Sequence, residues 1–346
     1  MRSIPVALTL AIGLIALALP PRANAQTSPN LALDPPLVNG QPIKVAIGLT
    51  LINIPTITEA EEHFEITGYL SARWVDPRLA HKPRPDGLPV SYSPDQVWHP
   101  HPEIVNAIQP RQRQDVSIEA DPDGTIHYLE RFGVEVSSPF SLRSFPFDRQ
   151  TLQIILHPFA SNVQRVRFEI DTARTSNSAE LKSYSSLAQW DVIGLTATQG
   201  TSKFNGAEIS EARFEIQIVR RYQFYIWKVF LPLLLMVMLS WTIFWIETFD
   251  LQNQIQVAVV TLLTVIAFAF AISSNLPKVP YLTFADAFFL TCYVFVFIAI
   301  LELMTVHVSY RTRGEHLGLK IRRVSRWLVP LAFCASLTLI AFRFVG

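Results

Sequence analysis

Gln252, Gln256, Val260, Leu263, Ala267, Phe270 and Ser274 recur at spacings of four and three, which puts them on one stripe of a single helix. The segment that carries them, Leu251 to Pro277, contains no ionisable residue. Amide side chains facing lipid are costly, so Gln252 and Gln256 must meet protein or water. Copies of this helix around one axis would ring an aqueous path, polar at one end and apolar from Val260 onward. A narrow apolar ring excludes water and hence ions, so it can act as a gate. A helix buried in a bundle shows the same stripe for packing alone; the amides favour the aqueous reading. Between Trp241 and Asn275 the only ionisable side chains are Glu247 and Asp250. Carboxylate rings concentrate cations at a pore mouth, which points to permeant monovalent cations. The alternative is a pair of solvated loop acids without a role.

These residues need a membrane around them, and the composition supplies one. Half of the 346 residues are hydrophobic, and the excess lies after Tyr222. Four apolar spans, about 224–246, 252–274, 284–310 and 327–344, each approach the roughly 20 residues that cross a bilayer. Residues 1–25 read as an export signal: Arg2, an apolar stretch from Ile4 to Leu19, then Ala23-Asn24-Ala25. A fifth span is the competing reading, disfavoured by the short stretch and by Pro20-Pro21. An exported N-terminus places the loop between the third and fourth spans in the cytoplasm. That loop carries Arg311, Arg313, Lys320, Arg322, Arg323 and Arg326, as the positive-inside tendency requires. The expected location is a bacterial inner membrane, with the N-terminal domain and the C-terminus on the extracytoplasmic side.

Residues 26–221 alternate at strand period, as in Phe64-Glu65-Ile66-Thr67-Gly68-Tyr69-Leu70 and Phe214-Glu215-Ile216-Gln217-Ile218. Asp121-Pro122-Asp123-Gly124 is a turn between two such runs. The expected fold is an all-β, immunoglobulin-like sandwich of about ten strands, followed in residues 222–346 by an all-α four-helix transmembrane bundle. The sandwich enters the membrane directly through Val219-Arg220-Arg221-Tyr222, which couples the two parts mechanically. The only cysteines, Cys292 and Cys334, fall in the spans, so the sandwich has no disulfide. A net charge of +1 argues against a nucleic-acid partner. His99, His101 and Glu103 are too close in sequence to complete a tetrahedral metal site by themselves. No zinc-protease helix, nucleotide-binding glycine loop or nucleophile elbow is present. Neither an enzyme nor a cofactor is expected.

Four ordered motifs carry a resemblance. Trp74-Val75-Asp76, Phe145-Pro146-Phe147-Asp148, Pro232 in the first span and Asn275-Leu276-Pro277-Lys278-Val279-Pro280-Tyr281 after the second stand in sequence. Together they resemble the pentameric ligand-gated ion channels, the Cys-loop receptor superfamily, and its bacterial branch in particular. Ser138 and Leu152 stand where animal members carry the loop cysteines, and the cytoplasmic linker, Arg311 to Arg326, is very short. Both departures are usual in that branch.

The resemblance implies a homopentamer around the second helix, with ligand sites between neighbouring sandwiches. It implies that Asp148, beside Phe147, pairs with Arg220 to link the two domains. It also makes the stiff segment from Pro277 to Pro280 the element on which the sandwich pushes. Phe159 and Tyr69 match aromatic positions on the two opposing faces of a ligand site, where a protonated amine would bind. Val105 replaces the usual first-loop tyrosine, and no aromatic pair marks the capping loop near Phe204. The other expected trigger is the proton. Glu59, Glu61, Glu62 and His63 cluster at a strand turn near the membrane, and Glu62 matches a glutamate of acid-opened bacterial relatives. A solvated charged turn is the bland alternative. The competing class is a non-conducting envelope receptor or adhesion module, whose second span should be uniformly apolar.

Overall fold

Alternating burial builds the N-terminal domain. In β8 (Arg149–Pro158) the buried residues are Gln150, Leu152, Ile154, Leu156 and Pro158; in β11 (Ala207–Arg220) they include Ala212, Phe214, Ile216 and Ile218. Fully burying each large apolar side chain contributes roughly 1.5–3 kcal/mol, enough to fix strand register. The structure, a computed structural model, describes residues 35–36, 40–176, 187–245, 251–273 and 278–344. The signal segment 1–25 and Glu247, Asp250, Ser274 and Pro277 lie outside the described residues.

Eleven strands stand among the described residues, close to the expected ten. The remaining nine are β1 (Ile43–Asn53), β2 (Ile57–Thr58), β3 (His63–Val75), β4 (Val90–Tyr92), β5 (Pro102–Ile104), β6 (Gln112–Ala120), β7 (Thr125–Ser137), β9 (Val166–Ile170) and β10 (Trp190–Phe204). One sheet runs β4-β6-β7-β3-β1-β9 with β2 on β3, and the other runs β10-β11-β8-β5. Their inner faces share one core that includes Phe64, Trp74, Tyr128, Phe132 and Phe214.

The turn between β6 and β7 folds as read. Gly124 N–H donates to the Asp121 carbonyl at 2.9 Å, and Gly124 adopts φ +85°. A Cβ there would stand 2.7 Å from the Asp76 carbonyl oxygen. Gly124→Ala is therefore expected to cost about 1–3 kcal/mol through strain and overpacking. A lowered melting temperature of the purified protein checks this; an unchanged one would mean that the turn relaxes freely.

Among the described residues four helices follow, each long and apolar enough to cross a membrane: α1 (Gln223–Trp241), α2 (Leu251–Ser273), α3 (Phe284–Arg313) and α4 (Glu315–Phe344). The chain is a multi-pass membrane protein. Ahead of Pro232, α1 widens into a π turn over Ile226–Phe230, since proline cannot donate to the preceding turn. A capping box opens α3: Asp286 N–H donates to Thr283 Oγ1 at 3.1 Å, and Thr283 N–H donates to the Asp286 carboxylate at 3.0 Å.

The short linker Arg311–Arg326 is itself helical except at Gly314, where φ is +90°. At about 1.5 Å per residue a 30-residue helix is about 45 Å long, against roughly 30 Å of hydrocarbon. Hydropathy registers only the part in lipid. Arg and Lys are good helix formers, so α3 and α4 continue past the membrane as a hairpin.

Candidate functional site

The stripe on α2 points away from its own bundle. Gln254, Ala258, Thr261 and Val265 are buried against the other helices, while Gln252, Gln256, Val260, Leu263, Ala267 and Phe270 lie on the exposed face. Leu263 is 60% exposed in the single chain. Not every polar residue of the span shares that face. Thr261 turns inward and returns its hydroxyl proton to the Val257 carbonyl at 2.9 Å.

The two domains meet at a buried charge cluster. The Arg220 guanidinium, at the end of β11, donates from Nε to Asp148 Oδ1 at 2.7 Å and from Nη2 to Oδ2 at 3.1 Å. Its remaining arm, Nη1, donates to Glu59 Oε1 at 2.8 Å. Side-chain exposures are 0% for Arg220, 1% for Asp148 and 12% for Glu59. Burial alone would lower the Arg220 pKa, but its hydrogen bonds to Asp148 and Glu59 outweigh burial and raise it, so the guanidinium stays charged. Aromatic rings complete the enclosure, with Trp190 at 4.1 Å and Phe145 at 4.8 Å from the guanidinium carbon.

Residues 138–148, between β7 and β8, tie this cluster to the helices. Leu142 and Phe145 are buried in the bundle core with Val229, Leu233 and Phe288. Leu142 N–H donates to Tyr281 Oη at 3.1 Å, and Phe284 N–H donates to the Arg143 carbonyl at 2.8 Å. Phe147 packs on Tyr222 and Phe284 with ring centroids 5.3 and 5.2 Å away. Ser144 Oγ donates to the Phe344 carbonyl, the last described residue of α4, at 2.6 Å. One segment thus touches the start of α1, the segment before α3, and the end of α4. Pro280 is exposed beside Tyr281.

The acidic turn forms a short 3-10 stretch, Glu59–Glu61, between β2 and β3. Glu59 is drawn into the Arg220 cluster, whereas Glu61 faces His63 at 3.7 Å. Glu62 takes φ +52°, and its carbonyl accepts from Ser138 N–H at 2.9 Å. The turn therefore contacts both Arg220 and the first residue of the 138–148 segment.

The sandwich holds a cavity of about 560 Å³, lined in part by His101, Glu103, Val105, Arg111, Arg113 and Phe159. Phe159 is 61% exposed on its wall. Tyr69 is not among its lining residues; it projects from β3 in the other sheet, opposite Thr50 and Arg131. Within one chain the two aromatics are not brought together. Behind the cavity Glu130 is fully buried, bonded by Arg111 at 2.6 Å and by the Tyr128 hydroxyl at 2.5 Å. Arg111 also donates to the Pro102 carbonyl. The His99 and His101 rings lie 3.7 Å apart. Burial, then His101, pushes His99 down to about 4, and burial followed by Arg113 and Arg111 lowers His101. An unfolded imidazole protonates near 6.5, so this corner loses stability as pH falls from there toward about 4.

Sequence reasoning did not find Glu59 as a partner of Arg220, nor Trp190, Tyr281 and Phe344 as parts of the junction. Trp190 had the best available signal, because it opens a strand that must pair with the one ending at Arg220; the observed register is Trp190↔Arg220.

Comparison with known proteins covers both domains. The profile of the neurotransmitter-gated ion-channel ligand binding domain matches residues 30–222, and that of the neurotransmitter-gated ion-channel transmembrane region matches residues 229–338. A proton-gated ion channel of Gloeobacter violaceus is 31% identical over 320 residues, 92% of this chain and 88% of that protein. The gamma-aminobutyric acid receptor subunit beta-4 of Gallus gallus is 26% identical over 289 residues, 81% of this chain and 58% of that subunit. A beta-like subunit from Drosophila melanogaster is 25% identical over 308 residues, 84% of this chain and 60% of that subunit.

Proposed function

Because this chain belongs to the neurotransmitter-gated ion-channel family, we propose that it forms a homopentameric, proton-gated, cation-selective channel of a bacterial inner membrane. Five copies of α2 line the path with the stripe from Gln252 to Phe270, continued by Ser274. Leu263 supplies the closing ring. Glu247 and Asp250 concentrate cations at the cytoplasmic mouth, and the basic residues around the α3–α4 hairpin keep that end inside.

One observation carries the choice of trigger: the acidic turn contacts both Arg220 and the segment that docks on three helices. Protonating Glu61, Glu62 or His63 changes the charge of this turn beside a permanently cationic arginine. The turn shifts, the 138–148 segment moves with it, and the segment around Pro277, Pro280 and Tyr281 passes the displacement to α2. The similarity to a proton-gated relative supports the same trigger.

Planar-bilayer recording of the purified protein tests this directly. Stepping from neutral to acid pH should evoke a current whose reversal potential follows the cation gradient. Glu62→Gln, a mimic of the protonated side chain, should move half-activation toward neutral pH by about half a unit, equivalent to about 0.7 kcal/mol. If no current appears at any pH or with any amine, the non-conducting receptor takes its place.

A second reading rests on the sandwich cavity. Phe159 on its wall, completed by Tyr69 of an adjacent sandwich, suits a small protonated amine. Current evoked by an amine at constant pH, and lost in Phe159→Ala, would favour it over the proton.

A further inference from the structure

The β10–β11 hairpin outruns the sheet that supports it. Pairing between β8 and β11 stops at Leu156↔Ala212, whereas β10 and β11 stay paired out to Phe204↔Ala207. Beyond Ala212 the hairpin has no third strand beside it in that sheet, and its tip turns through Asn205 and Gly206, both at positive φ. A few bonds hold this arm to the sandwich. Val163 N–H donates to the Glu208 carbonyl at 2.9 Å, Phe168 N–H to Ser210 Oγ at 2.8 Å, and Ile170 N–H to Gln199 Oε1 at 2.8 Å. Among the described residues a further attachment is His157, whose imidazole can be a neutral or a charged ring.

His157 sits where three strands come level. It pairs directly with Glu103 on β5 and faces Glu211 one step beyond the last pair of the β8–β11 ladder. Its Nε2 lies 3.1 Å from Glu211 Oε2 and 3.1 Å from Ser202 Oγ on β10. We infer that Glu103, His157 and Glu211 form a proton-operated latch that fastens the β10–β11 hairpin to the sandwich.

The chemistry lies in the two partners of Nε2. A hydroxyl can donate or accept, whereas a carboxylate can only accept. In a neutral ring with Nε2 bare, Nε2 accepts a hydrogen bond from Ser202 and sets a lone pair against Glu211, whereas the other neutral tautomer already donates Nε2–H to the carboxylate. With the ring fully protonated, Nε2–H must donate, and Glu211 is its anionic acceptor. The other charged groups on this face of the strands fix the sign. Glu103 and Glu211 contribute two negative charges, and Arg213, bound to Glu211 Oε1 at 2.7 Å, contributes one positive. A neutral ring leaves one negative charge uncompensated, and a protonated ring cancels it. Burial alone would raise the Glu211 carboxyl, yet the hydrogen bonds from Arg213 and His157 hold it below the usual range, so it remains an anion. Side-chain exposures of 14% for His157 and 13% for Glu211 limit solvent screening of the charged pair. Acid therefore fastens the arm and neutral pH loosens it. Two residues along the chain, Phe159 borders the cavity that Glu103 also lines, so the latch sets the rim of that cavity.

Hydrogen–deuterium exchange of amides 200–211 in the full-length, detergent-solubilised protein tests the latch. Parent and His157→Gln are compared at each pH, which cancels the intrinsic pH dependence of exchange. The parent should gain about tenfold protection over the variant on acidification, with β3 and β7 unchanged as the control for folding. Glu211→Gln, which removes the anion and keeps the shape, should abolish the gain as well. Equal protection of parent and both variants across the pH range overturns the latch. The measurement needs no current, so it can fail while the channel reading survives, and the bilayer recording can fail while the latch stands.

Discussion

The Leu263→Thr variant is expected to conduct at neutral pH without a stimulus. Leu263 lies midway along the exposed stripe of α2, where apolar side chains from symmetry-related copies would close a dry ring. In the proposed pentamer, losing about 0.8 kcal/mol of apolar burial per copy would sum to about 4 kcal/mol, on the order of a thousandfold in the opening equilibrium. The hydroxyl also offers water a partner inside the constriction, which opposes dewetting. Bilayer recording at neutral pH checks it. If Leu263→Thr and the parent have the same resting current and the same acid response, Leu263 is not the gate.

Arg220→Met is expected to destabilise the protein by about 3–5 kcal/mol, because it strands Asp148 as an uncompensated buried anion. Loss of activity in this variant alone would not separate scaffold from coupling. A second variant, Arg220→Met with Asp148→Leu and Glu59→Gln, removes the unpaired charges and fills the space with apolar atoms. Such replacements of buried ion clusters are commonly neutral or better for stability. Thermal melting should therefore recover, while acid-evoked current stays absent, since the sandwich then lacks its directional link to the 138–148 segment. A triple variant that folds and conducts normally would reduce the cluster to a structural brace. Coupling among the three substitutions is itself measurable, because residues in one network depart from additivity.

What could be read in advance depended on whether the signal was local. Alternation in β3 and β11 is visible in eight residues, and the α2 stripe in two turns, so both were legible. The pairing of Asp148 with Arg220 came only through the resemblance, although the geometry then placed the two side chains 2.7 Å apart. Glu59 reaches Arg220 across 161 positions, and nothing near Glu59 distinguishes it from Glu61 or Glu62. The row of Glu103, His157 and Glu211 exists only once strand register is known, because it draws one residue from each of three strands. The continuation of α3 and α4 past the bilayer was hidden for a different reason. Charged residues there lower the hydropathy of a segment that is a good helix.

At Gly314 the hairpin turns in open space, with nothing within 4 Å of where a side chain would begin. At its opposite end α4 hands its last described carbonyl to Ser144. A fluorescent domain grafted at Gly314 would ride on α4, which runs unbroken through Pro330. Its orientation would then report, from the other end of α4, when the sandwich moves.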